Sequence, residues 1–239
     1  MSRVFRFSAF LAVLVVPLSA EDPSRYIKLF EDTYRRAGTL QATFLEQYSE
    51  AGRVERVESG VAYFRRPGKM RWEYESPEKN LFLVDGKNAW FYVPSDHTVT
   101  RVAARKSADW RTPLALLAGE MKLSRICASV RPTVNLKPES LENIVLYCEL
   151  RGQDAELRKA VSQEAAADSD GSEKAVFFEI VRKTGNLVRV MVQESGGIAI
   201  EFHFTNWLDD PPVKEALFHF SVPPGVAIVN GGTPDKKTP

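Results

Sequence analysis

Within 239 residues, 32 Lys and Arg stand against 31 Asp and Glu, a formal net charge of +1. No basic excess is available to draw in nucleic acid or another polyanion. The 44% hydrophobic and 26% charged content is ordinary for a globular protein, and the length suits one large β domain or two small ones.

Arg3 and Arg6 precede an apolar run from Phe7 to Val16, and Pro17-Leu18-Ser19-Ala20 ends in small residues. That layout predicts a cleaved secretory signal over residues 1–20. The apolar run is well short of the ~20 residues needed to span a bilayer. Cutting after Ala20 takes two arginines from the 32 cationic residues, leaving 30 against 31 acids and a net charge near −1. Glu21 and not a cysteine stands directly after the cut, so the mature chain is not expected to be lipidated itself and is expected to be soluble.

Asp22-Pro23 opens a helix, with a cap residue and a proline at the first helical position. Ile27, Phe30, Tyr34 and Ala37 recur at helical spacing on one face, Lys28, Glu31 and Arg35 occupy the other, and Gly38 ends it. From Thr39 the period changes to two, with Leu40, Ala42 and Phe44 on one side, which predicts a strand. Ser49 to Arg53 turns the chain.

A run of strands follows. Ala62 and Phe64 alternate with Val61 and Tyr63 as far as the turn Arg65-Arg66-Pro67-Gly68, and Arg66 falls on the face of Ala62 and Phe64. Met70, Trp72 and Tyr74 then share one face, with Arg71, Glu73 and Glu75 on the other. Leu81–Val84 and Ala89–Val93 flank Asp85-Gly86, a hairpin signal. After Pro94-Ser95-Asp96 comes Thr98–Val102. Thr112-Pro113 predicts a short apolar helix over Leu114–Ala118, closed by Gly119.

Leu123–Val130 and Ile144–Leu150 read as strands on either side of a loop at 132–140. Residues 151–174 are rich in alanine, serine and acids and are expected to form a flexible surface insertion, with a disordered tail at 231–239. Val176–Val181, Leu187–Gln193, Ile198–Thr205 and Leu217–Phe220 complete a mostly antiparallel meander. No linker divides residues 21–230, so they are expected to form one domain.

Trp72, Tyr74, Trp90, Tyr92, Phe178, Phe202 and Phe204 are expected on one face of this sheet, which must be buried. Only two helices, 23–37 and 113–118, are available to cover it. The pattern fits both a filled barrel and a sheet curled around a cavity. Enzyme motifs are missing: no Gly-x-Ser-x-Gly elbow, phosphate loop or His-Glu-x-x-His occurs. His203 and His219 alternate with phenylalanines and read as outward strand positions, and His97 lies in a turn, so no metal or other cofactor is expected. Cys127 and Cys148, the only thiols in an exported chain, are expected to form a disulfide. Two separate buried thiols are the alternative, since Cys148 shares the face of Ile144, Leu146 and Leu150.

Several blocks, in order, resemble the outer-membrane lipoprotein carrier protein family (LolA). They are Gly38-Thr39-Leu40-Gln41-Ala42-Thr43-Phe44 with Gln47, Arg65-Arg66-Pro67-Gly68-Lys69-Met70-Arg71-Trp72-Glu73-Tyr74, Asp85-Gly86-Lys87-Asn88-Ala89-Trp90-Phe91-Tyr92, Thr112-Pro113-Leu114, and Leu217-Phe218-His219-Phe220-Ser221-Val222-Pro223-Pro224-Gly225-Val226. The chain departs from the family in the 151–174 insertion, the two cysteines and the short tail after Val229.

The resemblance implies an unclosed antiparallel β-barrel (a half-barrel) covered by a helical lid around a hydrophobic cavity for lipoprotein acyl chains. It implies that Arg66, before the motif proline, ties lid to barrel. Phe64, Met70, Trp72, Tyr74, Trp90, Tyr92, Phe202 and Phe204 are the expected cavity lining, and Ile27, Phe30, Tyr34, Leu114 and Leu117 the expected lid residues. Met70 occupies a position where the family carries a mechanistically important aromatic. The implied partners of this non-enzymatic periplasmic monomer are acylated lipoproteins, an ATP-driven lipoprotein-releasing transporter of the inner membrane and an outer-membrane lipoprotein acceptor. A lipoprotein-sensing module and a carrier of another amphiphile, such as a glycolipid, are the alternatives.

Overall fold

A computed structural model describes residues 22–104, 114–119, 122–150, 175–194 and 196–230. The leader, Thr112-Pro113, the 151–174 insertion and the tail at 231–239 lie outside these residues.

Helix α1 (Pro23–Arg35) starts as its sequence predicts: Asp22 caps it by accepting the Ser24 amide at 2.9 Å, and Pro23 takes the first turn. Its buried face is Tyr26, Phe30 and Tyr34, with Ile27 half-buried beside them. The strands that follow are β1 (Thr39–Glu50), β2 (Arg53–Arg65), β3 (Lys69–Ser76), β4 (Leu81–Val84), β5 (Asn88–Val93) and β6 (Thr98–Ala103). Two single-turn helices, α2 (Ala115–Ala118) and α3 (Leu123–Ile126), precede β7 (Cys127–Pro132), β8 (Asn143–Leu150), β9 (Ala175–Val181), β10 (Leu187–Glu194), β11 (Ile198–Asp209) and β12 (Ala227–Asn230).

Among the described residues, the twelve strands form one sheet in the order β12-β6-β5-β4-β3-β2-β1-β11-β10-β9-β8-β7. Its two ends do not pair with each other, so the sheet is open. Neighbours are antiparallel except β12, which runs parallel to β6. Burial alternates along the strands, as in Thr39–Phe44 and Gly60–Tyr74. One face therefore carries the main core and the other carries smaller clusters.

Four local expectations change. Residues 123–130 are not one strand: Leu123–Ile126 make a helical turn before β7 begins at Cys127. Residues 217–220 are not a strand either, because Glu215–Phe218 form a 3-10 turn and the chain then lies against the outside of the sheet. Strand β2 reaches back to Arg53, well before Val61. Its charged first half pairs with β1 and gains no β3 partner until Ser59, an edge that charges protect from further pairing. Strand β12 occupies residues to which the sequence pattern assigns no element.

Cys127 and Cys148 are joined, with Cα atoms 5.4 Å apart. Both lie in the main core, so the bond ties the α3–β7 junction to β8 on the inner side of the sheet.

Candidate binding site

The inner face is organised around Trp72. Across the sheet it pairs with Ala62, which pairs with Ala42, and on its other side with Phe82. Two alanines next to the indole leave room for Phe44 at 4.8 Å, Phe202 at 5.3 Å, Phe64 at 5.6 Å and Phe204 at 6.1 Å between ring centroids. Such edge-to-face and tilted contacts are favourable beyond the area they bury. The next row has the same logic. Gly60 pairs with Phe44 and Tyr74, and the two rings meet at 5.0 Å. A Cβ at Gly60 would lie 1.9 Å from the Glu73 carbonyl oxygen, so only glycine fits.

Six of the eight expected lining residues, Phe64, Met70, Trp72, Tyr74, Phe202 and Phe204, belong to this cluster. Trp90 and Tyr92 do not. They lie on the opposite face with Leu83 and Val99, under the C-terminal segment, and Phe220 packs on their rings at 5.4 and 5.6 Å. The β4–β5 turn is the reason. Asp85 Oδ1 accepts the Lys87 and Asn88 amides, each at 2.7 Å, which sets Phe82 opposite Phe91 and Leu83 opposite Trp90. Because Phe82 shares the face of Trp72, it is Phe91 that points inward. A register that pairs even with odd positions moves a whole strand to the other face.

Trp207 is an inner residue that simple alternation misses. Between Gln41 and Thr43 the β1–β11 pairing shifts by an extra residue, and Asn206 there has φ 53°. The bulge changes the phase of β11 and sets Trp207 beside Phe204 at 5.3 Å and Tyr34 at 4.9 Å. Phe44, Phe82 and Phe178 are likewise inner rings.

Helices α1 and α2 bury their apolar sides in the same cluster through Phe30, Tyr34, Leu114 and Leu117, with Ile27 at its margin. Arg66 joins them to the sheet. Its Nε donates to the Gly119 carbonyl at 2.7 Å, Nη2 to Tyr34 at 2.8 Å, and Nη1 to Arg35 at 3.0 Å and to Ala37. The Gly68 amide adds a bond to the Ala118 carbonyl at 2.7 Å, and the Arg66 amide one to Gly38 at 3.0 Å. These are the carbonyls that a helix end leaves without intrahelical donors. Burial pulls the Arg66 pKa down from its ordinary value, with Arg35 adding to the shift and Asp210 opposing it.

On the opposite flank, the Tyr34 hydroxyl accepts the Leu187 amide at 2.8 Å, and Thr33 Oγ1 donates to the Thr184 carbonyl at 2.8 Å. Glu31 accepts the Leu123 amide at 2.8 Å. Burial pushes the Tyr34 hydroxyl pKa far up, so it stays protonated. Of the histidines, His203 faces outward, with Nδ1 2.8 Å from Glu139.

The chain matches the family model "Outer membrane lipoprotein carrier protein LolA" over residues 35–181. It is 28% identical over 230 residues to an outer-membrane lipoprotein carrier protein of Nitrosomonas europaea, covering 93% of this chain and 97% of that one. A protein of the same name from Nitrosospira multiformis is 27% identical over 209 residues, 81% of this chain and 83% of its own. Among solved structures, an uncharacterized conserved protein of Thermus thermophilus shares the fold at a TM-score of 0.51 and 13% identity, over 87% of this chain and 98% of that one. An open, mostly antiparallel sheet with an aromatic inner face, together with a match over most of the chain, places this protein in the LolA family of outer-membrane lipoprotein carriers.

Proposed function

We propose that the aromatic inner face receives the acyl chains of lipoproteins and that Arg66 latches α1 and α2 over it when no cargo is bound. In this reading the chain takes lipoproteins released by an ATP-driven transporter at the inner membrane, carries them across the periplasm and passes them to an outer-membrane acceptor. The transfer makes and breaks no covalent bond. Residues 21–230 act as one carrier domain behind the leader. The observation that carries the reading is one guanidinium bonding four main-chain carbonyls drawn from both helical segments.

The energetics explain the need for a latch. Each buried methylene contributes ~0.8 kcal/mol, so one long acyl chain is worth roughly 10 kcal/mol and three far more. A multiply acylated protein therefore does not cross water unaided at a useful rate. An empty apolar chamber must also not gape, because a large exposed patch invites association. Hydrogen bonds from a charged donor, ~1.5–3 kcal/mol each, hold the helices firmly until acyl chains displace them.

The test uses membranes bearing a fluorescent-acyl lipoprotein and the inner-membrane transporter. Added mature protein should bring the lipoprotein into solution as a one-to-one complex and deliver it to vesicles carrying the acceptor. Cargo that stays on the donor membrane despite ATP and folded carrier would refute the reading.

A further inference from the structure

The outer face of β9–β11 carries a charged cluster beneath the loop at 133–142. Arg189 on β10 is 8% exposed and Glu179 on β9 only 1%, and they bond at 2.9 Å through Nε and 2.7 Å through Nη2. Arg189 also donates to Glu201 on β11 at 3.1 Å and to the Lys137 carbonyl at 3.0 Å. Glu179 accepts the Glu139 amide and the Asn143 side-chain amide, each at 2.7 Å. These bonds draw the loop down, so that Leu136 packs on Val145, Ala175, Phe177 and Met191, an apolar patch of the same face.

His203 completes the cluster. Its Nδ1 lies 2.8 Å from Glu139 of the loop and its Nε2 3.7 Å from Glu201. Nε2 is buried and makes no hydrogen bond among the described residues. Arg189 pairs with His203 across the β10–β11 ladder and approaches Glu139 to 3.9 Å, while β1 sets the uncharged Leu45 opposite the ring. Around the imidazole, Arg189 is therefore the one permanent cation among the carboxylates of Glu139, Glu179 and Glu201.

A neutral imidazole has a single N–H. If it donates to Glu139, the lone pair of Nε2 faces the Glu201 carboxylate; if it donates toward Glu201, the contact with the loop is lost. The imidazolium has an N–H for each carboxylate and adds a second cation to the cluster. We propose that His203 is a proton-operated fastener, which holds the 133–142 loop over the outer apolar patch when protonated and loosens it when neutral. The sign follows from linkage. The fastened loop binds the proton more tightly than the loosened one, so a rise in pH through the titration of the ring favours the loosened form. The β9–β10 ladder does not involve the ring, so the change is confined to the loop and uncovers the patch that Leu136 shields.

The experiment follows the mature protein by NMR from about pH 5.5 to about pH 8.5, a range that brackets the titration of an ordinary imidazole. Amide exchange in 133–142, corrected for the intrinsic effect of pH on exchange, is compared with exchange in β9 and β10. Protection of the loop should fall about tenfold, with the same midpoint as the His203 ring signals, while β9 and β10 stay protected. His203→Gln keeps a polar side chain but cannot take up a proton, and its loop protection should be the same at every pH. Glu139→Gln, which removes the carboxylate that joins the ring to the loop, should flatten the response as well. Constant loop protection in the native chain, or protection that follows the rings of His97 or His219 in place of His203, overturns the inference. So does a pH response that survives in His203→Gln. Should that variant fail to fold, the agreement of the two midpoints in the native chain decides alone.

Discussion

Tyr34 is held from both flanks of the sheet at once: its carbonyl accepts Arg66 Nη2 and its hydroxyl accepts the Leu187 amide, each at 2.8 Å. Helix α1 is thus tied to the end of β2 through its backbone and to the start of β10 through a side chain. Tyr34→Phe removes only the second tie and leaves a buried amide without its acceptor. Such a loss costs about 1–3 kcal/mol. Amide exchange across residues 23–37 should accelerate while exchange in β1 and β2 stays slow, a contrast that hydrogen-exchange mass spectrometry reads directly.

The β9–β10 turn provides a second check on that flank. Gly185 has φ +75°, and a Cβ there would lie 2.8 Å from the carbonyl carbon and oxygen of Leu29. Gly52 has nearly the same φ, +77°, with nothing within 4 Å. Gly185→Ala should therefore lower the denaturation midpoint more than Gly52→Ala, since only the former adds a backbone clash with α1 to the ~1–2 kcal/mol of left-handed strain. Equal losses would mean that α1 gives way freely at this contact.

Much of this arrangement is legible in the sequence. Asp22-Pro23 fixes the start of α1, and strict alternation places Met70, Trp72 and Tyr74 together. Legibility ends where facing depends on pairing register. Trp90 looks like a partner of Trp72 by hydrophobicity alone, and only the Asp85 turn sends it outward. Trp207 is brought inward by the single extra residue at Asn206. Within 123–130 the apolar residues Leu123, Ile126, Cys127, Ala128 and Val130 are broken by Ser124, Arg125 and Ser129 without a clear period, and a helical turn ends at Ile126 where a strand starts at Cys127, a division that periodicity over so few residues cannot resolve. The charged stretch 53–58 lacks a hydrophobic alternation altogether, and its strand exists because β1 is there to pair with it.

The turn that orients Trp90 should be pH-sensitive. Burial raises the Asp85 pKa, but bonds from Asn88, Trp90 and Lys87 outweigh it, and the net shift is downward from 3.8. A carboxylate with a depressed folded-state pKa contributes stability above its unfolded pKa and loses it as pH falls through the folded one. Asp85→Asn should therefore be less stable than the native chain at neutral pH, with the gap closing as pH drops below 3.8. Denaturant melts followed by Trp fluorescence at a series of pH values measure the gap, and a constant difference would remove Asp85 as its cause.

Breaking the disulfide should cost more than a typical surface contact. Cys127 and Cys148 are 21 residues apart in sequence, and closing a loop of that size restricts the unfolded chain by about 3 kcal/mol. The double variant Cys127→Ala/Cys148→Ala should lose stability of that order. Both native cysteines should resist alkylation until a reductant and denaturant are added. Ready labelling of native, unreduced protein would show that the bond does not form.

Arg66 should control release more than loading. It contacts the helices in the closed arrangement, so removing it destabilises that state and leaves the cargo-bound state nearly untouched. A group that interacts with one state alone shifts the balance by its own interaction energy. Arg66→Leu also adds apolar surface where the helices meet the sheet. It should accept lipoprotein readily, pass it on at least about tenfold more slowly, and accumulate as a loaded complex. Arg66→Lys should recover little, because an ammonium cannot span carbonyls that a planar guanidinium reaches together. Arg71 is the matched control. It lies on the outer face, bonded to Glu73 and to the Leu217 carbonyl at 3.0 Å, away from α1. Each variant is loaded with a fluorescent-acyl lipoprotein, and its transfer to the acceptor is timed. If Arg66→Leu keeps the native rate while Arg71→Leu is slow, control of release belongs to the C-terminal segment that Arg71 holds and not to the helices that Arg66 holds.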